Sequence, residues 1–201
     1  LADGTPVIVA AGIEQDFKIT PAQLETAITP KTKAIILCSP SNPTGSVYSK
    51  EELAGLAAVL AKHPQVYVIA DEIYEHINFS GTFCSIGSIP GMLEKTITVN
   101  GVAKAFAMTG YRIGYIGAPE FIAKACTKIK GQVTSGANSV AHRATITAVD
   151  ADPSVLNHMV QAFHSRRDLV VGLLKEIPGI KINVPEGAFY VFPDVSSFFG
   201  K

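Results

Sequence analysis

The stretch AIILCSPSNPTG, residues 34–45, joins an uninterrupted apolar run directly to a cluster of turn-forming residues. Continuous apolarity of this length is typical of a strand buried on both faces, as in a parallel sheet. Similar runs recur at residues 7–10, 66–70, 96–99 and 113–118. With helical patterns between them, these runs predict an α/β domain whose largely parallel sheet is flanked by helices.

The helical patterns have recognisable starts. Thr20 is a candidate N-cap with Pro21 at the first helical position, and Ser49 is a candidate N-cap for the next helix. Two more helical regions are predicted, over residues 119–130 and over residues 140–176.

A break in the second of these regions, at Asp152-Pro153, marks a candidate domain boundary. It separates a large domain, residues 1–152, from an interdomain helix and the start of a smaller α+β domain, residues 153–201. In the second part, residues 180–184 and 188–192 are predicted to be strands.

The composition fits a folded protein and narrows the classes of partner. Hydrophobic residues make up 47% and charged residues 17%, which is enough apolar sequence for a sizeable core. Seventeen basic residues balance seventeen acidic ones, so charge gives no argument for a nucleic acid or an anionic membrane as partner. No run approaches the roughly 20 apolar residues of a membrane helix. Three widely spaced cysteines without a CxxC pair indicate a reduced, cytoplasmic setting.

Two polar clusters follow predicted strands. Asn42 comes after the run 34–38, where the simpler interpretation is a turn. Asp71 follows the run 66–70, where the simpler interpretation is a helix N-cap. Ligands of open parallel sheets bind at the carboxyl ends of the strands, however, and a single turn would aim Asp71 and Tyr74 at one ligand.

A third cluster surrounds Lys104, whose neighbours are small or apolar. Such a lysine is either a solvated loop residue or a desolvated amine, and a desolvated amine is the better nucleophile. Arg112 follows eight residues later, between Gly110 and Gly114. Its guanidinium can grip a phosphate with two parallel hydrogen bonds.

Taken in order, these clusters resemble the class I/II aminotransferases, in the aspartate-aminotransferase-like group of fold type I. The motifs are NPTG at 42–45, DEIY at 71–74 and KAFAMTGYRIGY at 104–115. PEGAFYVFP at 185–193 resembles a motif of the family's small domain. The resemblance covers essentially the whole chain.

The resemblance implies a role for each residue around pyridoxal 5'-phosphate. Lys104 resembles the lysine that holds the cofactor as a Schiff base and then moves the substrate proton. Asp71 resembles the carboxylate paired with the pyridine nitrogen, and Tyr74 the tyrosine that hydrogen-bonds the cofactor's phenolic oxygen. Asn42 resembles the asparagine that contacts the same oxygen and orients the substrate carboxylate. Arg112 resembles the arginine that clamps the phosphate.

The chain departs from the family pattern in a few respects. Ala103 stands where many relatives have Ser, and Tyr111 where Trp is frequent. The family's Gly-rich phosphate loop and stacking aromatic residue would precede Leu1, and its carboxylate-binding arginine would follow Lys201. We therefore expect flanking sequence on both sides, and no transamination by these 201 residues alone.

The implied function is amino-group transfer from an L-amino acid to a 2-oxo acid in amino-acid metabolism, by a homodimer when full-length. Aspartate with 2-oxoglutarate is the leading pair. A carbon–sulfur β-lyase on the same scaffold is an alternative, because it would share the cofactor residues. So is the aminotransferase-like effector domain of a transcription regulator, although that would need a DNA-binding module which this stretch does not contain.

Overall fold

Four strands form the sheet that organises the molecule. The computed structural model describes residues 3–81 and 83–200. Its strands are β1 (Ala34–Cys38), β2 (Tyr67–Asp71), β3 (Thr96–Gly101) and β4 (Gly114–Gly117), in the spatial order β1-β2-β3-β4. The first three are parallel and β4 runs antiparallel to β3. The predicted α/β class with a largely parallel sheet is confirmed.

The register of the parallel strands brings their carboxyl ends to one edge. Cys38 at the end of β1 lies opposite Asp71 at the end of β2, and Asp71 in turn lies opposite Val99 of β3. The main chain continues this alignment, since Glu72 N donates to Val99 O at 2.9 Å. Side chains at and just beyond these strand ends therefore share one edge of the sheet.

In the part of the chain that the structure describes, six α-helices accompany the sheet: α1 (Pro21–Ala27), α2 (Lys50–Ala61), α3 (Val102–Ala105), α4 (Glu120–Val133), α5 (Ser139–Val149) and α6 (Asn157–Lys175). The two predicted N-caps are confirmed. Thr20 accepts a hydrogen bond from Gln23 N, Ser49 accepts one from Glu52 N, and both form complete capping boxes.

The main core lies between α1, α2 and the sheet. Its side chains are almost fully buried: Leu24, Leu53, Leu56, Leu60, Val66, Val68, Ile86 and Met92. Burial of each such leucine contributes roughly 1.5–3 kcal/mol to folding. This core holds β1 and β2 in place, and with them the loops that leave their carboxyl ends.

Three predicted strands are wrong. Residues 7–10 form no strand, and Val7 and Ile8 are 72% and 85% exposed. The stretches 180–184 and 188–192 are irregular, and only isolated bridges form nearby, Lys181 with Asp194 and Gly187 with Asn78. Apolar sequence predicts burial, but a strand also requires a neighbour whose backbone offers a continuous ladder of hydrogen bonds.

The break at Asp152-Pro153 is confirmed. There α5 ends, a 3-10 turn spans Pro153–Leu156, and the Asp152 carboxylate caps the turn by accepting from Ser154 N at 2.8 Å. The division into domains at this point stays a prediction, and the outermost residues of both predicted domains, Leu1 and Lys201, lie outside the described residues. Within the described ranges, no helix is long and apolar enough to cross a membrane.

Candidate active site

Asp71 lies at the centre of the carboxyl edge, as the last residue of β2. Its Oδ1 accepts a hydrogen bond from Ile73 N at 3.3 Å, and residues 73–76 form a turn. The expected helix N-cap is therefore an Asx turn in the structure. This turn carries Tyr74 back towards the strand ends. Asp71 forms no ion pair with any lysine, arginine or histidine of the described ranges, so its carboxylate remains available to a cationic ligand group.

The phenol of Tyr74 is buried in the candidate site. Its side chain is only 3% exposed, and its hydroxyl lies 2.7 Å from the hydroxyl of Tyr190. Burial raises the pKa of Tyr74 well above that of an ordinary phenol. Tyr74 therefore keeps its proton at neutral pH.

Asn42 reaches the same phenol pair from the loop after β1. Its Nδ2 donates to the Tyr190 hydroxyl at 3.4 Å. The loop is closed by main-chain hydrogen bonds, with Gly45 N donating to Ser41 O and Ser41 N donating to Ser46 O, both at 2.9 Å. The simple turn and the ligand-facing asparagine are thus compatible interpretations of one segment.

Lys104 lies on α3, which follows β3 without a connecting loop. Its Nζ is 5.8 Å from the ring centroid of Tyr74 and 5.4 Å from that of Phe189. These distances are typical of cation–π contacts. The amine forms no ion pair with the carboxylates that the structure describes, so the two aromatic rings are its main side-chain neighbours.

Arg112 stands apart from the other four residues. It is exposed and adopts a left-handed backbone conformation, with φ 57°. Its Nη1 donates to Thr109 O at 3.0 Å, and no carboxylate in the described ranges pairs with it. The structure thus brings Asn42, Tyr74 and Lys104 together through aromatic neighbours, with Asp71 on the adjoining strand end. It shows no contact between Arg112 and this group.

The sequence-based prediction missed two residues of the site, Phe189 and Tyr190. Both follow the GA pair of the PEGAFYVFP segment, and the Phe189 ring packs against the Tyr74 ring with centroids 5.3 Å apart. The segment was expected to be a strand of the small domain. The signal that was overlooked is an aromatic pair in a motif that already resembled the family.

The chain is similar to known proteins along essentially its whole length. Residues 1–198 match the family described as aminotransferase class I and II. The chain belongs to this family. The bifunctional aspartate aminotransferase and glutamate/aspartate-prephenate aminotransferase of Petunia hybrida is 49% identical over 204 residues, which cover 100% of this chain and 43% of that protein. The aspartate/prephenate aminotransferase of Cereibacter sphaeroides is 49% identical over 203 residues, 100% of this chain and 51% of its own.

Solved structures of family members have the same fold. The aspartate aminotransferase of Rhizobium meliloti superposes with a TM-score of 0.95 at 42% identity, covering 98% of this chain and 50% of that one. The Thermus thermophilus aspartate aminotransferase with maleate gives a TM-score of 0.88 at 41% identity, covering 95% and 50%. The chain therefore spans about half the length of these relatives.

The charged and phenolic residues of the candidate site would fit pyridoxal phosphate. Two cationic side chains, Lys104 and Arg112, have no carboxylate partner among the described residues, which suits an anionic, aldehyde-bearing ligand. Asp71, whose carboxylate has no ion pair in the described ranges, would suit a protonated ring nitrogen, and Tyr74 would offer a phenol that retains its proton.

Proposed function

We propose that the full-length protein containing this chain is a pyridoxal-phosphate-dependent aminotransferase. It transfers an amino group from an L-amino acid to a 2-oxo acid in two half-reactions. The observation that carries the proposal is the Lys104 amine, which lies over the rings of Tyr74 and Phe189 without a carboxylate partner in the described ranges. The chain that contains Lys104 belongs to the class I and II aminotransferase family.

When bound, pyridoxal phosphate supplies an electron sink for negative charge that develops on the substrate Cα. Lys104 provides the amine that holds the cofactor and then moves the Cα proton. Asp71 pairs with the pyridine nitrogen and keeps it protonated, because a nearby carboxylate favours the cationic form.

The remaining residues bind and orient. Tyr74 and Asn42 donate hydrogen bonds to the cofactor's phenolic oxygen, and Asn42 also orients the substrate carboxylate. Arg112 would bind the phosphate through its guanidinium, which donates to Thr109 O in this structure. These roles follow the family pattern. They are supported by the charges of Lys104, Asp71 and Arg112, which form no ion pair within the described ranges.

Aspartate is the proposed amino donor, supported by the names of the relatives from Petunia hybrida and Cereibacter sphaeroides. The same names add prephenate to 2-oxoglutarate as a proposed amino acceptor. They favour amino transfer over carbon–sulfur lyase chemistry and over an effector-sensing role. A homodimer in a reduced, cytoplasmic compartment completes the proposal. The free state of Cys38, Cys84 and Cys126 supports the reduced setting.

Borohydride trapping tests the central assignment. Pyridoxal phosphate is added to the full-length protein, the complex is reduced with borohydride, and the labelled peptide is located by mass spectrometry. We expect the label on Lys104 and its loss in Lys104→Ala. Lys124→Ala is the matched control, because Lys124 lies on the exposed face of α4 in an ion pair with Glu120. Covalent label that survives in Lys104→Ala would show that another amine holds the cofactor.

A further inference from the structure

A chain of three polar side chains joins the two halves of the site. Asn42 Nδ2 donates to the Tyr190 hydroxyl at 3.4 Å, and that hydroxyl lies 2.7 Å from the Tyr74 hydroxyl. An amide nitrogen can only donate, so the Tyr190 oxygen is the acceptor of the first hydrogen bond. The Tyr190 proton is then free to point at the Tyr74 oxygen, which leaves the Tyr74 proton for a ligand.

The position of Tyr190 is set by the backbone that precedes it. Glu186 N and Gly187 N both donate to Gly45 O at 2.9 Å, and Ala188 N donates to Ile77 O at 2.8 Å. The contact is close, since a Cβ on Gly187 would lie 2.6 Å from Pro40 Cβ. Tyr190 is therefore attached to both the loop after β1 and the turn that carries Tyr74.

Aromatic packing restricts Tyr190 further. Its ring lies 5.8 Å from the Tyr74 ring and 4.7 Å from the Phe189 ring, measured between centroids. Phe189 in turn stacks on Phe163 of α6 at 5.1 Å. A phenol held on several sides loses little further entropy when it forms a hydrogen bond, so it can orient a neighbouring hydroxyl effectively.

We propose that Tyr190 is a positioning residue of the aminotransferase site, a role that rests on the proposed function. Its hydroxyl accepts from Asn42, donates to Tyr74 and so directs the Tyr74 proton towards the cofactor. A hydroxyl that accepts a hydrogen bond becomes a stronger donor through cooperative polarisation. The segment 185–190 thereby controls the strength of the hydrogen bond that Tyr74 gives.

Two measurements test this role, both on the full-length protein with the variant Tyr190→Phe. The first uses cofactor-free protein labelled with ¹³C at the tyrosine Cζ, where we expect the Tyr74 resonance to shift. Tyr67→Phe is the control, because Tyr67 lies at the opposite end of β2, and it should leave the Tyr74 resonance in place. An unshifted Tyr74 resonance in Tyr190→Phe overturns the proposal.

The second measurement is a double-mutant cycle on pyridoxal phosphate affinity, read by fluorescence titration. Tyr190→Phe should weaken binding about five-fold when Tyr74 is present, the effect of one neutral hydrogen bond, and hardly at all in a Tyr74→Phe background. Equal losses in both backgrounds would reduce Tyr190 to a structural role and refute the proposal. If Tyr190→Phe fails to fold, Asn42→Ala replaces it in the spectroscopic test, and it must then shift the resonances of both Tyr190 and Tyr74.

The two proposals fail separately. The resonance measurement uses cofactor-free protein, so it reports the coupling of the two phenols whatever the covalent trapping at Lys104 shows. Loss of trapping specificity would remove the proposed function, whereas loss of the phenol coupling would remove only the role of Tyr190.

Discussion

Gly45, the last residue of the NPTG motif, offers a sharp test of how the site is assembled. Its φ is +69°, and a Cβ added there would lie 2.4 Å from Pro185 Cβ and 3.0 Å from Gly187 O. Its carbonyl accepts the two main-chain hydrogen bonds that attach the segment 185–190. Gly45→Ala therefore forces either a change of backbone conformation or separation of the two segments.

The expected cost has two parts. A left-handed conformation costs a residue with a Cβ roughly 1–2 kcal/mol. An extra methyl in close-packed surroundings adds about 1–3 kcal/mol, and the neighbouring atoms here belong to a proline ring and a backbone carbonyl, which yield little. We expect Gly45→Ala to lower the free energy of unfolding by about 3 kcal/mol in total.

Urea unfolding of the full-length protein measures this effect, with Gly91→Ala as the matched control. Gly91 also has a positive φ, +82°, but no atom lies within 4 Å of its added Cβ. The control therefore carries only the conformational cost, about 1–2 kcal/mol. Losses of free energy of unfolding that differ by less than about 0.5 kcal/mol count as equal. If Gly45→Ala and Gly91→Ala give equal losses, the close approach of Gly45 to Pro185 does not restrict the site and the prediction is wrong.

Two further predictions concern carboxylates. Asp71→Ala should lower kcat by about 100-fold or more with a smaller effect on KM, because the carboxylate stabilises charge that develops in the transition state. Steady-state kinetics that show a near-normal kcat would contradict this prediction. Burial raises the pKa of Glu72 to about 7, so the folded state binds more protons than the unfolded state below that pH, and stability falls as pH rises from about 5 to 7. Thermal unfolding should show that stability falls less steeply with pH in Glu72→Gln than in the unaltered protein. The exposed control Glu94→Gln should show the same fall as the unaltered protein. Equal pH dependence in all three proteins would refute the role of Glu72.

Much of the fold could be predicted from local sequence. Continuous apolar runs predicted the four strands of the sheet, and Thr20 and Ser49 predicted the starts of α1 and α2. These signals succeed because capping and strand burial depend on residues that are close in sequence or on a simple need for apolar contact. The strand predicted at residues 7–10 is absent, because a strand needs a neighbouring strand to pair with and an apolar run does not show whether one is there.

The candidate site likewise has features that the sequence predicts and features that it does not. The sequence alone predicts which residues carry charge and chemistry, since Lys104, Asp71 and Arg112 each follow or adjoin a recognisable strand and motif. In the folded sheet, the parallel register places Asp71 of β2 between Cys38 of β1 and Val99 of β3. The location of Asp71 at this edge could be predicted from the sequence, because the carboxyl ends of parallel strands meet at one edge of a sheet.

Tyr190 enters the candidate site through tertiary contacts alone. It is separated from Tyr74 by 116 positions and from Asn42 by 148, yet its hydroxyl contacts both. No local pattern reports such a contact, because it depends on how the segment 185–190 docks across Gly45 and Ile77. Docking of this kind results from close packing and main-chain hydrogen bonds between distant segments, and these are properties of the folded chain rather than of any window of its sequence.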